Sequence, residues 1–143
     1  MLREETVKKM FDTLYGEKRK NDNETDNGNI QQYICFMLGD EEFGINISNI
    51  REVIPFTRYT RVNDVPEFVK GVINLRGEII ALLDIKLFFN IGSVLDKPTR
   101  KTKIIIARDT NRDAGFIVDY VTAARMINDT EIQFTSKNVE GIS

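Results

Sequence analysis

The chain has 143 residues, 41% of them hydrophobic and 29% charged, which suits one globular domain with a buried core. Its net charge is −2, and it contains no histidine, so it lacks the basic excess of a nucleic-acid binder and the commonest general base. No apolar run approaches the ~20 residues of a membrane-spanning helix, and residues 1–5 are too polar for a signal peptide. We therefore expect a cytoplasmic protein with no nucleic-acid partner and no direct membrane insertion.

The first 29 residues divide into a predicted helix and a linker. Val7, Met10, Phe11 and Leu14 recur at helical spacing, which predicts an amphipathic helix over residues 1–20. Residues 21–29 carry no apolar side chain and are predicted to form a flexible polar linker. The folded domain then covers residues 30–143. The helix has three possible fates, which are docking on this domain, binding a partner, or fraying.

The domain is predicted to begin with a hairpin followed by a short helix. Residues 33–38 are apolar on both faces, as in a buried strand, and the single cysteine, Cys35, is expected to be a buried hydrophobe. A turn at residues 39–42 leads to a second strand at residues 43–47. Ser48 is a plausible N-cap, and Ile50, Val53 and Ile54 follow at helical spacing, so one or two helical turns are predicted before Pro55.

The middle of the chain is predicted to contain a capped turn, a hairpin and a short helix. Residues 64–71 form the turn, with Gly71 at its exit. Strands at residues 72–75 and 78–83 flank the pair Arg76-Gly77, because glycine supplies the left-handed conformation of a tight turn. Asp84 is expected to cap a helix that runs to Phe89.

The last third is predicted to contain four more strands. A polar loop at residues 90–101 precedes them, and residues 108–113 form a charged turn between the first two. The strands cover residues 103–107, 114–118, 123–127 and 131–134. Short strands separated by frequent turns are typical of an all-β barrel or sandwich.

No motif for chemistry emerges from these elements. The nine glycines are scattered and form no phosphate-binding loop. Asp40, Glu41 and Glu42 share a predicted turn, where solvated charge explains them. We therefore predict no enzyme activity, no cofactor and no metal site. Arg76 is either a solvated turn charge or an interface anchor, a role in which arginine is enriched.

Four segments resemble one known family. They are residues 39–45, 50–54, 66–84 and 114–121, and the run from Gly71 to Gly77, GVINLRG, is the most specific. Over residues 31–142 the chain resembles CheW, the chemotaxis coupling protein. The resemblance implies a mostly β fold, with two SH3-like five-stranded β-barrel subdomains around a shared apolar core and short helices. Family members continue with another strand and a short helix, so the domain is expected to be C-terminally incomplete, by truncation, by natural variation, or with completion by a partner.

The resemblance also implies a function and a set of contact residues. CheW is a scaffold of two-component signal transduction that couples chemoreceptor cytoplasmic tips to the regulatory domain of the histidine kinase CheA, in membrane-associated receptor arrays. Arg76 is expected to be important for coupling, with Glu52 as its ion-pair companion. Further partner-binding residues are expected near the receptor or kinase contact surface, and they are Ile50, Lys70, Gly71 and Gly77, with Val121 and Ala124 on a strand that lines the receptor-facing groove.

Two other functions stay open from the sequence. The chain could be a CheW-like fragment of a larger CheA-type or CheV-type protein. It could also be a small-molecule or nucleotide-binding module, although no phosphate loop supports this.

Overall fold

The computed structural model describes residues 30–96 and 98–128, in which eight β-strands dominate. The strands are β1 (Ile30–Leu38), β2 (Glu41–Asn46), β3 (Ile50–Pro55), β4 (Val69–Leu75), β5 (Glu78–Asp84), β6 (Lys103–Asp109), β7 (Arg112–Val118) and β8 (Tyr120–Asn128). One short α-helix, α1 (Ile85–Phe88), follows β5, and single 3₁₀ turns cover Ile47–Asn49 and Val94–Asp96. The predicted helix at 1–20, the linker at 21–29 and the strand at 131–134 lie outside the described residues.

The strands form two sheets, which confirms the mostly β prediction. One sheet has the order β2-β1-β8, and the other has the order β3-β6-β7-β5-β4. In the second sheet β5 and β7 are parallel, and all other neighbours are antiparallel. Beyond β3 the chain returns to the far edge, where Thr60 pairs with Val72 of β4. This pairing closes the five-stranded sheet into a small barrel.

A shared apolar core lies between the two sheets, as the resemblance implied. Phe36 and Phe43 from the first sheet belong to the same buried cluster as Leu82 and Phe116 from the second. The Phe43 ring also stacks on Phe89, just beyond α1, with 5.6 Å between the ring centroids. Burying one such side chain stabilises the fold by ~1.5–3 kcal/mol, so the two sheets depend on each other for stability.

The prediction of one or two helical turns before Pro55 is wrong. Ile50, Val53 and Ile54 lie on strand β3, and the 3₁₀ turn before it is capped by Asn46, whose side chain accepts a hydrogen bond from the Ser48 amide. Pairing with β6 along the strand, with one irregularity between Ile50 and Glu52, supplies ladder hydrogen bonds, and this tertiary gain overrides the local helical spacing.

The capped turn predicted at residues 64–71 is also not helical. The structure has irregular turns there, with a hydrogen bond of 2.9 Å from the Val69 amide to the Pro66 carbonyl. Gly71, predicted at the exit of that turn, lies inside β4. The charged turn predicted at 108–113 shrinks to Thr110 and Asn111, because β6 and β7 continue to Asp109 and from Arg112.

Asp84 caps α1 as predicted. Its Oδ1 accepts a hydrogen bond of 3.1 Å from the Lys86 amide, and its Oδ2 accepts bonds from Ser93 Oγ at 2.6 Å and from the Val94 amide at 2.9 Å. The Asp84 side chain is fully buried. It therefore holds both the helix start and the loop that returns after the helix. Within the described residues no helix has the length and apolar character that a membrane crossing requires.

Asp119 joins the two sheets at the connection between β7 and β8. Its amide donates a 3.1 Å hydrogen bond to the Met37 carbonyl, and its Oδ2 accepts a 2.6 Å bond from the Gly39 amide in the β1–β2 turn. The same oxygen lies 3.6 Å from the ammonium of Lys86 on α1. One carboxylate therefore links the hairpin of the first sheet to the helix of the second.

Candidate functional site

Five strand ends meet at one end of the barrel. The register pairs Leu75 with Glu78, Ile50 with Ala107, and Ala107 with Ala114. The start of β3, the β4–β5 turn and the β6–β7 hairpin therefore lie together. We call this region the charged end of the barrel and define it by Ile50, Arg51, Glu52, Arg76, Gly77, Glu78, Arg108 and Asp113.

The turn between β4 and β5 presents Arg76. Both turn residues have positive φ, 50° at Arg76 and 88° at Gly77, the combination that a type I′ hairpin turn requires. The Asn74 side chain accepts a 2.9 Å hydrogen bond from the Gly77 amide and stabilises the turn. The Arg76 side chain is 62% exposed and donates to Glu52 on β3. The structure thus contains the ion pair that the resemblance implied.

A cluster of three further ion pairs lies beside the first and was missed by sequence reasoning. Arg51 Nη1 donates to Glu78 Oε2 at 2.6 Å and to Asp113 Oδ2 at 2.9 Å. Arg108 donates to the same Asp113 carboxylate from Nε at 2.6 Å and from Nη2 at 2.9 Å. The four side chains come from four different strands, β3, β5, β6 and β7. Only alternating charge at the strand ends hinted at the cluster in the sequence.

The cluster is fully ionised at neutral pH. The hydrogen bond from Arg51 holds the pKa of Glu78 below its ordinary value. Hydrogen bonding from Arg108 lowers the pKa of Asp113, with a smaller contribution from Arg51, although the partial burial of Asp113 opposes the shift. Carboxylates and guanidinium groups alternate, so the charged end presents compensated charge. No group of acidic, cysteine or histidine side chains among the described residues could hold a metal ion.

Lys70 and Gly71 lie at the other end of β4, away from Arg76. At Gly71 the structure assigns a packing role, because a Cβ there would stand 2.1 Å from the Thr60 carbonyl oxygen. The close approach belongs to the Thr60–Val72 bridge that closes the barrel. Lys70 is half-buried at the start of the strand. The structure therefore does not bring these two residues together with the charged end.

Val121 and Ala124 lie on β8, in the first sheet. Val121 is half-buried and packs against the shared core, and Ala124 is exposed and pairs with Ile34 of β1. Among the described strands, β8 has a neighbour only on the β1 side. The predicted contact residues therefore occupy three places, which are the charged end, the closure of the barrel and the outer strand β8.

The family model for the CheW-like domain matches residues 32–143. The chain belongs to the CheW-like domain family. Among its CheW relatives, the chemotaxis protein CheW of Helicobacter pylori is 39% identical over 107 residues, which cover 75% of this chain and 64% of that protein. The chemotaxis protein CheW of Rhizobium meliloti is 35% identical over 105 residues, covering 73% of this chain and 66% of the relative. The chain thus spans just under two thirds of the length of these two relatives.

A solved CheW structure supports the fold. The scaffolding protein TtCheW from Thermoanaerobacter tengcongensis superposes with a TM-score of 0.67 at 33% identity, over 73% of this chain and 70% of that one. This likeness confirms the prediction of a CheW fold with two β subdomains around one core.

Proposed function

We propose that this chain is a non-catalytic adaptor that couples chemoreceptor cytoplasmic tips to the histidine kinase CheA in bacterial chemotaxis. The observation that carries the proposal is the Arg76–Glu52 pair on an exposed turn, in a chain of the CheW-like family. Arg76 adopts a positive φ, and backbone strain of this kind concentrates at functional sites. As an adaptor, the chain works by binding geometry and is recruited to membrane-associated receptor arrays.

The proposed contact residues lie in three places, of which two are candidate partner surfaces. The charged end of the barrel offers Ile50, Glu52, Arg76 and Gly77. Lys70 lies apart from it at the far end of β4, beside Gly71, which has a packing role there. The outer strand β8 offers Val121 and Ala124 to the receptor tip. The charged end and β8 are separate surfaces on one shared core, which suits a protein that holds two partners at once, because each partner can dock without displacing the other.

A pull-down tests the proposal directly. The chain is presented with the regulatory domain of a CheA kinase, with a receptor-tip peptide, and with both together. We expect binding to each partner alone and a three-component complex when both are present. A folded sample, verified by circular dichroism, that captures neither partner would refute the adaptor function.

A further inference from the structure

Strand β3 carries a β-bulge at Arg51. Ile50 pairs with Ala107 and Glu52 pairs with Ile106, so Arg51 is the extra residue on β3. In a regular strand two consecutive side chains point to opposite faces, and a bulge re-aims them. Here Glu52 and Arg51 both reach the β4–β5 hairpin, Glu52 at Arg76 and Arg51 at Glu78. The hairpin is thus held from β3 by two adjacent residues.

Arg51 also anchors the hairpin to the body of the barrel. The nitrogen that binds Glu78 also binds Asp113 of β7, and Asp113 in turn accepts hydrogen bonds from Nε and Nη2 of Arg108 on β6. Only 13% of the Asp113 side chain is exposed. Arg51 therefore binds a nearly buried carboxylate that Arg108 also holds in place, whereas the Arg76–Glu52 pair lies at the solvent boundary.

We propose that Arg51 is a positioning residue, whose bulge and bridge between Glu78 and Asp113 order the β4–β5 hairpin and so hold Arg76 in place. The Arg51 side chain is 21% exposed and its Nη1 donates to both carboxylates, so this nitrogen is committed within the protein. The consequence for partner binding rests on the proposed function. The effect on the hairpin itself does not.

Hydrogen exchange on the full chain separates local positioning from general stability. In Arg51→Met the apolar stem remains and the bridge is lost, so amides of residues 74–79 should exchange about tenfold faster, the effect of losing hydrogen bonds between charged groups. Amides of β1 and β2 should be unchanged. Arg58→Met is the control, because it removes an exposed guanidinium outside the charged end and leaves the contacts of Arg51 with Glu78 and Asp113 intact. Arg51→Lys keeps the positive charge but lacks the planar guanidinium that can donate to two carboxylates, so its hairpin amides should exchange at an intermediate rate.

Each outcome decides the inference. Unchanged hairpin exchange in Arg51→Met, or acceleration equal to that of β1 and β2, would overturn it. Affinity for the kinase regulatory domain should fall in Arg51→Met, where the hairpin is loosened, and stay unchanged in Arg58→Met. A loosened hairpin with undiminished kinase affinity would also overturn the positioning role. If the unaltered chain binds no kinase domain, the proposed function fails, while the exchange data still test the ordering of the hairpin.

Discussion

Arg76 occupies a backbone conformation that is costly for any residue with a Cβ. Its φ of 50° lies in the left-handed region, which costs an L-residue roughly 1–2 kcal/mol. Asn74 offsets part of this cost by accepting from the Gly77 amide, but asparagine or glycine would suit the position better. An arginine at this place is therefore poorly explained by the turn itself and better explained by what its exposed guanidinium contacts.

Replacing Arg76 should separate stability from function. Arg76→Gly removes the strained side chain and should raise the free energy of unfolding by up to ~1 kcal/mol. Arg76→Ala should melt close to the unaltered chain. Both variants should lose the complex of kinase domain and receptor tip in pull-downs, while Arg58→Ala, which changes an exposed arginine outside the charged end, should retain it. A melting temperature of Arg76→Ala far below that of the unaltered chain would show that Arg76 is structural.

Gly71 illustrates the opposite case, a motif residue explained by packing. Gly71→Ala should destabilise the fold by about 2–3 kcal/mol, because the added methyl group would overlap the Thr60 carbonyl and open the barrel closure. Urea denaturation measures the change. Gly39→Ala is the control, since no atom lies within 4 Å of a Cβ there and only its positive φ of 64° costs ~1 kcal/mol. Equal losses in the two variants would show that the contact with Thr60 is unimportant.

At the scale of elements, the sequence predicts the local structure correctly where a single residue type dictates the backbone conformation. Gly77 and Asp84 mark the β4–β5 turn and the start of α1, and both features are present. The same reasoning failed at β3, because Ile50, Val53 and Ile54 fit helical spacing as well as a bulged strand. The choice there depends on β6, more than 45 residues later in the chain, which no local pattern reveals.

The buried carboxylate of Asp84 does more than cap a helix. Asp84→Ala should cost about 2–4 kcal/mol, because it removes the cap of α1 and leaves the buried Val94 amide without its acceptor. Asp84→Asn keeps one acceptor oxygen and should lose less stability than Asp84→Ala. Thermal and urea unfolding measure both, with Glu67→Ala as an exposed acidic control. A loss below ~0.5 kcal/mol in Asp84→Ala, the size of a simple surface change, would contradict the assigned role.

At the scale of the whole molecule, the candidate site was only half predictable. The family motif contains Arg76 and Glu52, and the structure brings them into contact. The contacts of Arg51 with Glu78 and Asp113 could not be predicted, since these residues lie 27 and 62 positions after Arg51. They meet only where the strands close one end of the barrel. A hairpin motif is local, whereas a cluster at a barrel end is a product of topology.

Asp119 should couple the two sheets and the outer strand β8, which it immediately precedes. Asp119→Ala removes the acceptor of the Gly39 amide and the partner of Lys86, and should destabilise the chain by about 1–2 kcal/mol, a value reduced by partial exposure. Lys86→Met removes only the ion pair and should cost less than ~0.5 kcal/mol.

Because β8 is less firmly placed when Asp119 is replaced, Asp119→Ala should also weaken capture of the receptor-tip peptide. Binding of the kinase domain should persist, since the charged end of the barrel is untouched. Denaturation curves and the two separate pull-downs test this, and equal loss of both partners would mean that the two surfaces are not independent.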